Sequence, residues 1–250
     1  MRETDLADEL FRAPDSAPPT GVRVATARRG GVTVTRVEIA REGLERPRGR
    51  YVTLEVPRVS LLDERDESVI EPAAAELQAL LRLSAQEGIR VRLLGAGTNI
   101  LAPDGGVRGL VIVTSGALTG LSMPDAAHIE AMSGVTMARL ACFARDNGLT
   151  GLEFAHGIPG TVGGGVYMNA GAYGGEMKDI IEKVYVLDEN GAQLELDRDA
   201  LDLGYRHSCI PEKKYIVTKV VLELVPRNEA EIRSEMKELN EKRAEKQPLQ

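Results

Sequence analysis

Between Gly157 and Gly174 the chain reads Gly-Ile-Pro-Gly-Thr-Val-Gly-Gly-Gly-Val-Tyr-Met-Asn-Ala-Gly-Ala-Tyr-Gly, and no simple fold needs so many positions without a Cβ. Eight of the 26 glycines fall in the 19 residues from Gly157 to Gly175, and five more fall between Gly95 and Gly109. A residue without a side chain lets main chain approach another group closely. The economical reason for such density is a large, flat or multiply charged ligand against the backbone. A flexible linker is the alternative. Ile158, Val162, Val166, Tyr167 and Met168 argue against it, because linkers do not carry buried-type residues at this frequency.

A chain of 250 residues has room for a full-sized core, as one large domain or two small ones. With 43% hydrophobic and 28% charged residues, wholesale disorder and collagen-like structure are excluded. The net charge of −7, with no concentration of basic residues, argues against a nucleic-acid partner. No apolar run approaches the roughly 20 residues that span a bilayer, and the start MRETDLADEL lacks the regions of a signal peptide. The expectation is a cytoplasmic protein with no membrane partner. Cys142 and Cys209 make no disulfide framework, which fits a reducing compartment. His128, His156 and His207 are scattered without a spaced set of Cys or carboxylate partners, so no metal site is expected. Before Lys178 the chain has 18 Arg and no Lys, whereas 8 Lys and 5 Arg follow from there, a shift that reads either as drift or as parts of different origin.

Residues 1–20 suggest a short helix at most and then a Pro-rich loop. Strand-like runs follow at Val22–Thr26, Val32–Ile39 and Tyr51–Val56, with Gly30-Gly31 as a hairpin turn and Pro57 as a stop. Glu71–Glu87 has the spacing of an amphipathic helix, with Leu77, Leu80, Leu81 and Ala85 on one face and Gly88 as its end. Further strands are expected at Val91–Leu94, Leu110–Val113, His128–Met132, Ile181–Leu187, Gln193–Leu196 and Tyr215–Leu224. A second helix is expected over Val135–Asn147, stopped by Gly148. Asn190-Gly191 signals a hairpin, and a charged terminal helix bearing Ile232, Met236 and Leu239 reads as a solvated amphipathic surface. The class is mixed, α/β or α+β.

The strand Val91–Leu94 runs straight into Gly95-Ala96-Gly97-Thr98-Asn99. Such a turn lets backbone N–H groups converge on an anion, with Thr and Asn as extra donors. It reads equally as a tight strand exit without a ligand. It is not a dinucleotide fingerprint, since Ile100, Leu101 and Pro103 follow in place of a helix.

Gly95–Leu101, Gly151–Gly174 and Tyr205-Arg206-His207-Ser208 together resemble the UDP-N-acetylenolpyruvoylglucosamine reductase family of cell-wall synthesis, over roughly Ser68 to Gln250. The resemblance implies an α+β fold: a two-lobed FAD-binding domain of the vanillyl-alcohol oxidase type, preceded here by a small β-rich N-terminal region. The domains expected on that basis are 1–67, a β-rich segment; 68–226, the FAD-binding domain; and 227–250, a terminal helix leading toward a substrate domain. It implies that Gly95, Ala96, Gly97, Thr98, Asn99 and Ile100 hold the FAD pyrophosphate. Gly157, Ile158, Pro159, Gly160, Thr161, Gly163, Gly164, Asn169, Gly171 and Ala172 then line the cofactor from the other side. Thr98 stands where Ser is commoner, and Gly165 where Ala is commoner. The implied reaction uses NADPH to reduce FAD, which then reduces the enolpyruvyl group of a UDP-sugar. Arg206 is implied as the carboxylate contact, with Tyr205 as its partner in the motif, although an ion pair of Arg206 with Asp202 is the plain alternative.

Three departures qualify the resemblance. The family's Ala-Gly-Ser-x-Phe-Lys motif, whose Ser is the general acid, and its assisting Glu have no counterpart before Gln250. The Thr-Thr-Phe-Lys-Ile-Gly-Gly-like segment that opens the family's FAD domain is also missing. In its place Arg2–Leu6, Val32–Ile39 and Pro47–Glu55 resemble the start of the spore germination protease family, without that family's catalytic Asp residues. A chain of this sequence is therefore expected to have little or no turnover by itself, with a non-catalytic FAD-binding module as the alternative. Ser208 carries no transferred role, and Cys209 has no neighbouring base in sequence.

Overall fold

The computed structural model describes residues 22–29, 32–40, 51–58, 70–86, 88, 90–101, 110–115 and 118–246. The expected N-terminal helix, the Gly30-Gly31 turn and the Pro47 region lie outside the described residues. The chain divides into two compact units, residues 1–92 with 101–111, and residues 93–100 with 112–250.

In the first unit, β1 (Val22–Arg29), β2 (Val32–Ala40) and β3 (Tyr51–Arg58) form an antiparallel sheet in that order, with Arg29 opposite Val32 and Ala40 opposite Tyr51. Pro57 does not end β3, which continues to Arg58; a proline is tolerated on a strand whose N–H side is not needed by a neighbour, and β3 is an edge of this sheet. Helix α1 spans Ile70–Gln86. Leu77 and Leu81 are buried as their i, i+4 spacing requires; Ser84 is buried with them, whereas Ala85 is exposed. The chain then enters β4 (Val91–Leu94), which pairs with β5 (Leu110–Val113).

The second unit is organised on a five-stranded antiparallel sheet. Its strands are β6 (Leu121–Ser122), β7 (His128–Met132), β11 (Ile181–Leu187), β12 (Gln193–Asp197) and β13 (Ile216–Glu223), in the order β12-β11-β13-β7-β6. The central strand β13 carries six apolar or small residues in a near-continuous buried run from Ile216 to Leu222, interrupted only by half-buried Lys219. Lys219 uses that break well: its ammonium lies 4.5 Å from the centre of the Tyr185 ring and 3.0 Å from Glu130. Helix α2 (Met137–Asp146) buries Met137, Leu140, Ala141 and Ala144, the i, i+3, i+4, i+7 stripe of an amphipathic helix. Thr136 caps it by accepting from the Arg139 amide, and Gly148 ends it with φ of 68°, which residues with a Cβ adopt only at a penalty.

The remaining elements carry the glycine-rich segments. β8 (Leu149–Thr150) pairs with β14 (Val225–Pro226), and β9 (Gly171–Ala172) with β10 (Gly175–Glu176). A short helix, α3 (Val162–Tyr167), forms inside the glycine run, and α4 (Cys209–Lys213) follows the Tyr-Arg-His-Ser motif. The loop between β11 and β12 is wider than an Asn-Gly hairpin: Asp188 accepts from the amides of Asn190 and Ala192, and Gly191 takes φ of 75°. The terminal helix α5 (Glu229–Lys246) buries Ile232 and Met236. Its exposed ion pairs, such as Arg233 with Glu229, contribute little beyond local order.

Candidate functional site

The loop leaving β4 and the loop entering α3 are fastened to each other. Thr98 Oγ1 donates to the Pro159 carbonyl at 3.2 Å. A Cβ on Gly95 would lie 2.6 Å from Thr161 Oγ1, and one on Gly160 would lie 3.2 Å from Thr98 Oγ1. Thr161 is buried and caps α3 through the Gly164 amide, so it has no freedom to retreat. Gly157, Ile158, Pro159 and Gly160 complete this face of the loop, half-buried except for exposed Pro159.

Most of the glycine density is explained by protein packed on protein. A Cβ on Gly163 would press on Ser133 at 2.9 Å, one on Gly165 on Met137 at 2.9 Å, and one on Gly175 on the Phe154 ring at 2.6 Å. Gly171 is closed off by Glu176 and Gly175 across the β9–β10 hairpin. Gly97, with φ of 72°, and Gly164 are different, since the nearest atoms to their Cβ positions are 3.9 Å and 3.6 Å away. A Cβ on Gly174, at the tip of the β9–β10 hairpin, would meet nothing within 4 Å. Glycines with open space beside them are thus fewer than the sequence suggests.

The hydrogen-bond inventory separates the two loops further. At the start of α3, Val162 N donates to Val135, Gly163 N to Ser133 and Gly164 N to Thr161, so these amides are used within the protein. In the first loop, Ala96, Gly97, Thr98 and Asn99 donate no backbone hydrogen bond to another described residue. All four are exposed, as is Ile100. A run of free N–H groups around a positive-φ glycine is the arrangement that binds an anion without basic side chains. This fits the pyrophosphate of a dinucleotide cofactor.

A second cluster surrounds a cavity of about 210 Å³ lined by Asn169, Gly171, Ala172, Tyr173, Glu176, Tyr205 and Arg206. Asn169 is its anchor. Its side-chain amide donates to Glu176 at 2.7 Å and to the Gly204 carbonyl at 2.9 Å, while its oxygen accepts from Lys178 N at 2.9 Å. It is buried and takes φ of 42°, a conformation Asn tolerates better than most residues. The Lys178 ammonium, with help from Asn169, holds the Glu176 carboxyl below its ordinary range. Tyr205 and Arg206 occupy the tip of a tight turn closed by reciprocal bonds between Gly204 and His207. Arg206 is held there at φ of 54°, and both tip side chains are exposed.

Asp202 pairs with His207 Nε2 at 3.1 Å, and Arg206 makes no ion pair with any described residue. Ser208 is fully buried: it donates to the Tyr167 carbonyl at 2.8 Å and caps α4 through Ile210 N. Its hydroxyl is structural. Burial pushes the Cys209 thiol up, the opposite of activation. Among the described residues no group of His, Cys, Asp and Glu is placed to hold a metal ion.

One part of the site had no motif to announce it. Arg243, on α5, donates to the Gly157 carbonyl, and its guanidinium lies 5.7 Å from the centre of the Tyr173 ring. One turn earlier, Asn240 Nδ2 lies 2.9 Å from His156 Nδ1. The readable signal was position: 232, 236, 240 and 243 fall on one helical face, so the buried stripe of Ile232 and Met236 continues into two polar residues. The terminal helix is not a wholly solvated surface.

These loops define a protein of the FAD-binding class: residues 68–197 match the FAD binding domain family. The chain belongs to the UDP-N-acetylenolpyruvoylglucosamine reductase family. It is 40% identical over 215 residues to that enzyme from Caldanaerobacter subterraneus subsp. tengcongensis, covering 85% of this chain and 69% of the relative. The enzyme from Agathobacter rectalis is 44% identical over 191 residues, 72% of this chain and 61% of the relative. Among solved structures, the crystal structure of UDP-N-acetylenolpyruvylglucosamine reductase from Thermus caldophilus matches with a TM-score of 0.59 and 34% identity, over 71% of this chain and 62% of that one. The chain therefore spans about three-fifths of the length of the Agathobacter relative and of the Thermus structure. No helix among the described residues is long and apolar enough to cross a membrane.

Proposed function

We propose that this chain carries the FAD site and the carboxylate-binding arginine of a cytoplasmic, NADPH-using reduction of UDP-N-acetylenolpyruvoylglucosamine to UDP-N-acetylmuramate, a step in peptidoglycan precursor synthesis. The observation that carries this reading is the free-amide turn at Ala96–Asn99, fastened to the Pro159–Thr161 loop. Gly95, Ala96, Gly97, Thr98, Asn99 and Ile100 would hold the pyrophosphate side of FAD. Gly157, Ile158, Pro159, Gly160, Thr161, Gly163, Gly164, Asn169, Gly171 and Ala172 would shape the facing wall. When bound, FAD supplies two-electron hydride chemistry that no amino-acid side chain offers.

The chain's own contribution is positioning and charge. Arg206 presents a guanidinium that no described carboxylate neutralises, on a turn stiffened by Gly204, His207 and Asn169. Such a group suits the planar carboxylate of an enolpyruvyl substrate, whose adjacent carbon gains negative charge on reduction. Tyr205 stands beside it. The sealed hydroxyl of Ser208 and the ionised Glu176 leave neither as a proton donor, which favours a second reading, a FAD-binding module without turnover.

Titration of the FAD-loaded chain with UDP-N-acetylenolpyruvoylglucosamine, read from the flavin absorbance near about 450 nm, separates these readings. Arg206→Gln is expected to keep FAD affinity and to weaken the sugar nucleotide about 10- to 100-fold, the scale of a lost charge-assisted hydrogen-bond pair. Equal binding of the sugar nucleotide by both forms contradicts the role of Arg206. Anaerobic bleaching by NADPH followed by substrate-dependent recovery of colour supports the reductase, and bleaching without recovery supports the module.

A further inference from the structure

The terminal helix α5 reaches two places in the second glycine-rich segment through a single side chain. Arg243 donates to the carbonyl of Gly157, on the loop that leads to α3, and faces the ring of Tyr173, at the tip of the β9–β10 hairpin. Nothing else in α5 bridges these two places among the described residues. A Cβ on Gly157 would sit 2.6 Å from Arg243 Nε, so the glycine there makes room for the arginine. Tyr173 sits at φ of 52° with Gly174 at 90°, the two positive-φ positions of a tight hairpin turn, and a bulky residue there is strained. That strain persists only when surrounding structure holds the residue in place. The Arg243 guanidinium is part of what does so. Asn240 fixes the same helix to the adjoining residue His156, and Ile232 with Met236 anchor it in the core.

We propose that Arg243 is a positioning residue for the flavin site: it sets the distance between the Gly157–Gly160 loop and the Tyr173 hairpin, and so shapes the pocket. Lysine does not substitute fully. An ammonium can reach one carbonyl but lacks the planar fork that donates to one group while stacking on a ring. The proposal rests on the FAD reading above and extends it to the terminal helix α5.

The test uses the full chain stripped of flavin. FAD dissociation constants come from quenching of flavin fluorescence, the environment of bound flavin from visible circular dichroism at saturating FAD, and apoprotein stability from thermal melting. Arg243→Gln is expected to weaken FAD about tenfold, the scale of one charge-assisted hydrogen bond, and to change the visible dichroism of what still binds. Its apoprotein melts within about 2 °C of wild type, because the side chain is half-exposed. Arg243→Lys falls between the two. Arg233→Gln, which removes an exposed charge paired with Glu229 on the same helix, keeps the wild-type affinity and spectrum. Wild-type affinity and dichroism in Arg243→Gln overturn the proposal while leaving the FAD reading intact, as does an equal loss in Arg233→Gln. A wild-type chain that takes up no FAD overturns both.

Discussion

Gly95→Ala is expected to cut FAD affinity by about 10- to 100-fold while leaving the five-stranded sheet folded. The added methyl would lie 2.6 Å from Thr161 Oγ1, well inside contact distance. Thr161 is buried, caps α3 through Gly164 N and leads directly into the amides paired with Val135 and Ser133. The 95–99 loop is the exposed partner, so it is the side that gives way. Overpacking of one methyl costs about 1–3 kcal/mol, and at 1.4 kcal/mol per decade that is the stated range. A double-mutant cycle isolates the cause. Thr161→Ala removes the hydroxyl and methyl that meet the new Cβ, at a cost of about 1 kcal/mol for the lost cap. Gly95→Ala combined with Thr161→Ala is then expected to bind FAD more tightly than Gly95→Ala alone, a coupling that independent sites do not show. Additive losses would contradict the account of why glycine stands at 95.

Asn169→Ala is expected to be the most destabilising single change at the site, by about 2–4 kcal/mol, measured by denaturant unfolding of the apoprotein. Three hydrogen bonds disappear together: Lys178 N loses its partner, and the Gly204 carbonyl keeps only the His207 amide. Alanine also bears the penalty of φ near 42°, about 1 kcal/mol. Asn169→Gly removes the same bonds without that penalty, so it should recover roughly 1 kcal/mol relative to alanine. The second readout is functional. With Gly204 released, the turn that presents Arg206 is no longer tied to the β9–β10 hairpin, and binding of the sugar nucleotide should fall more than binding of FAD. If the two affinities fall equally, Asn169 does not position Arg206.

The strands at 91–94, 110–113, 128–132 and 181–187 were legible because each is a short apolar run bounded by turn residues. So was α2, whose buried stripe and terminal Gly148 follow the helical period. The two clusters of glycine were legible too. What the composition concealed was the reason for them. Gly95, Gly157, Gly163, Gly165 and Gly175 are small because Thr161, Arg243, Ser133, Met137 and Phe154 fill the space, and those partners lie 21 to 86 positions away in the chain, beyond the reach of local pattern. Helix α3 escaped notice because Gly163, Gly164 and Gly165 are half of its six residues, and it is held by tertiary bonds to Ser133 and Val135 rather than by propensity. The hydroxyl of Thr98, expected as a ligand donor, also fastens one loop to the other, through a residue 61 positions away. Arg243 was invisible because a search for apolar periodicity passes over polar residues on the same face.

The central claim is that free amides at Ala96–Asn99 make a site for a flavin dinucleotide. Its most direct test is an equilibrium titration of the flavin-stripped chain with FAD, FMN and riboflavin, followed by flavin fluorescence. The account predicts saturable binding of one FAD per chain, at least about tenfold tighter than riboflavin, because only a phosphate-bearing ligand engages a cluster of N–H donors. FAD binding no tighter than riboflavin, or no saturable binding at all, would contradict it.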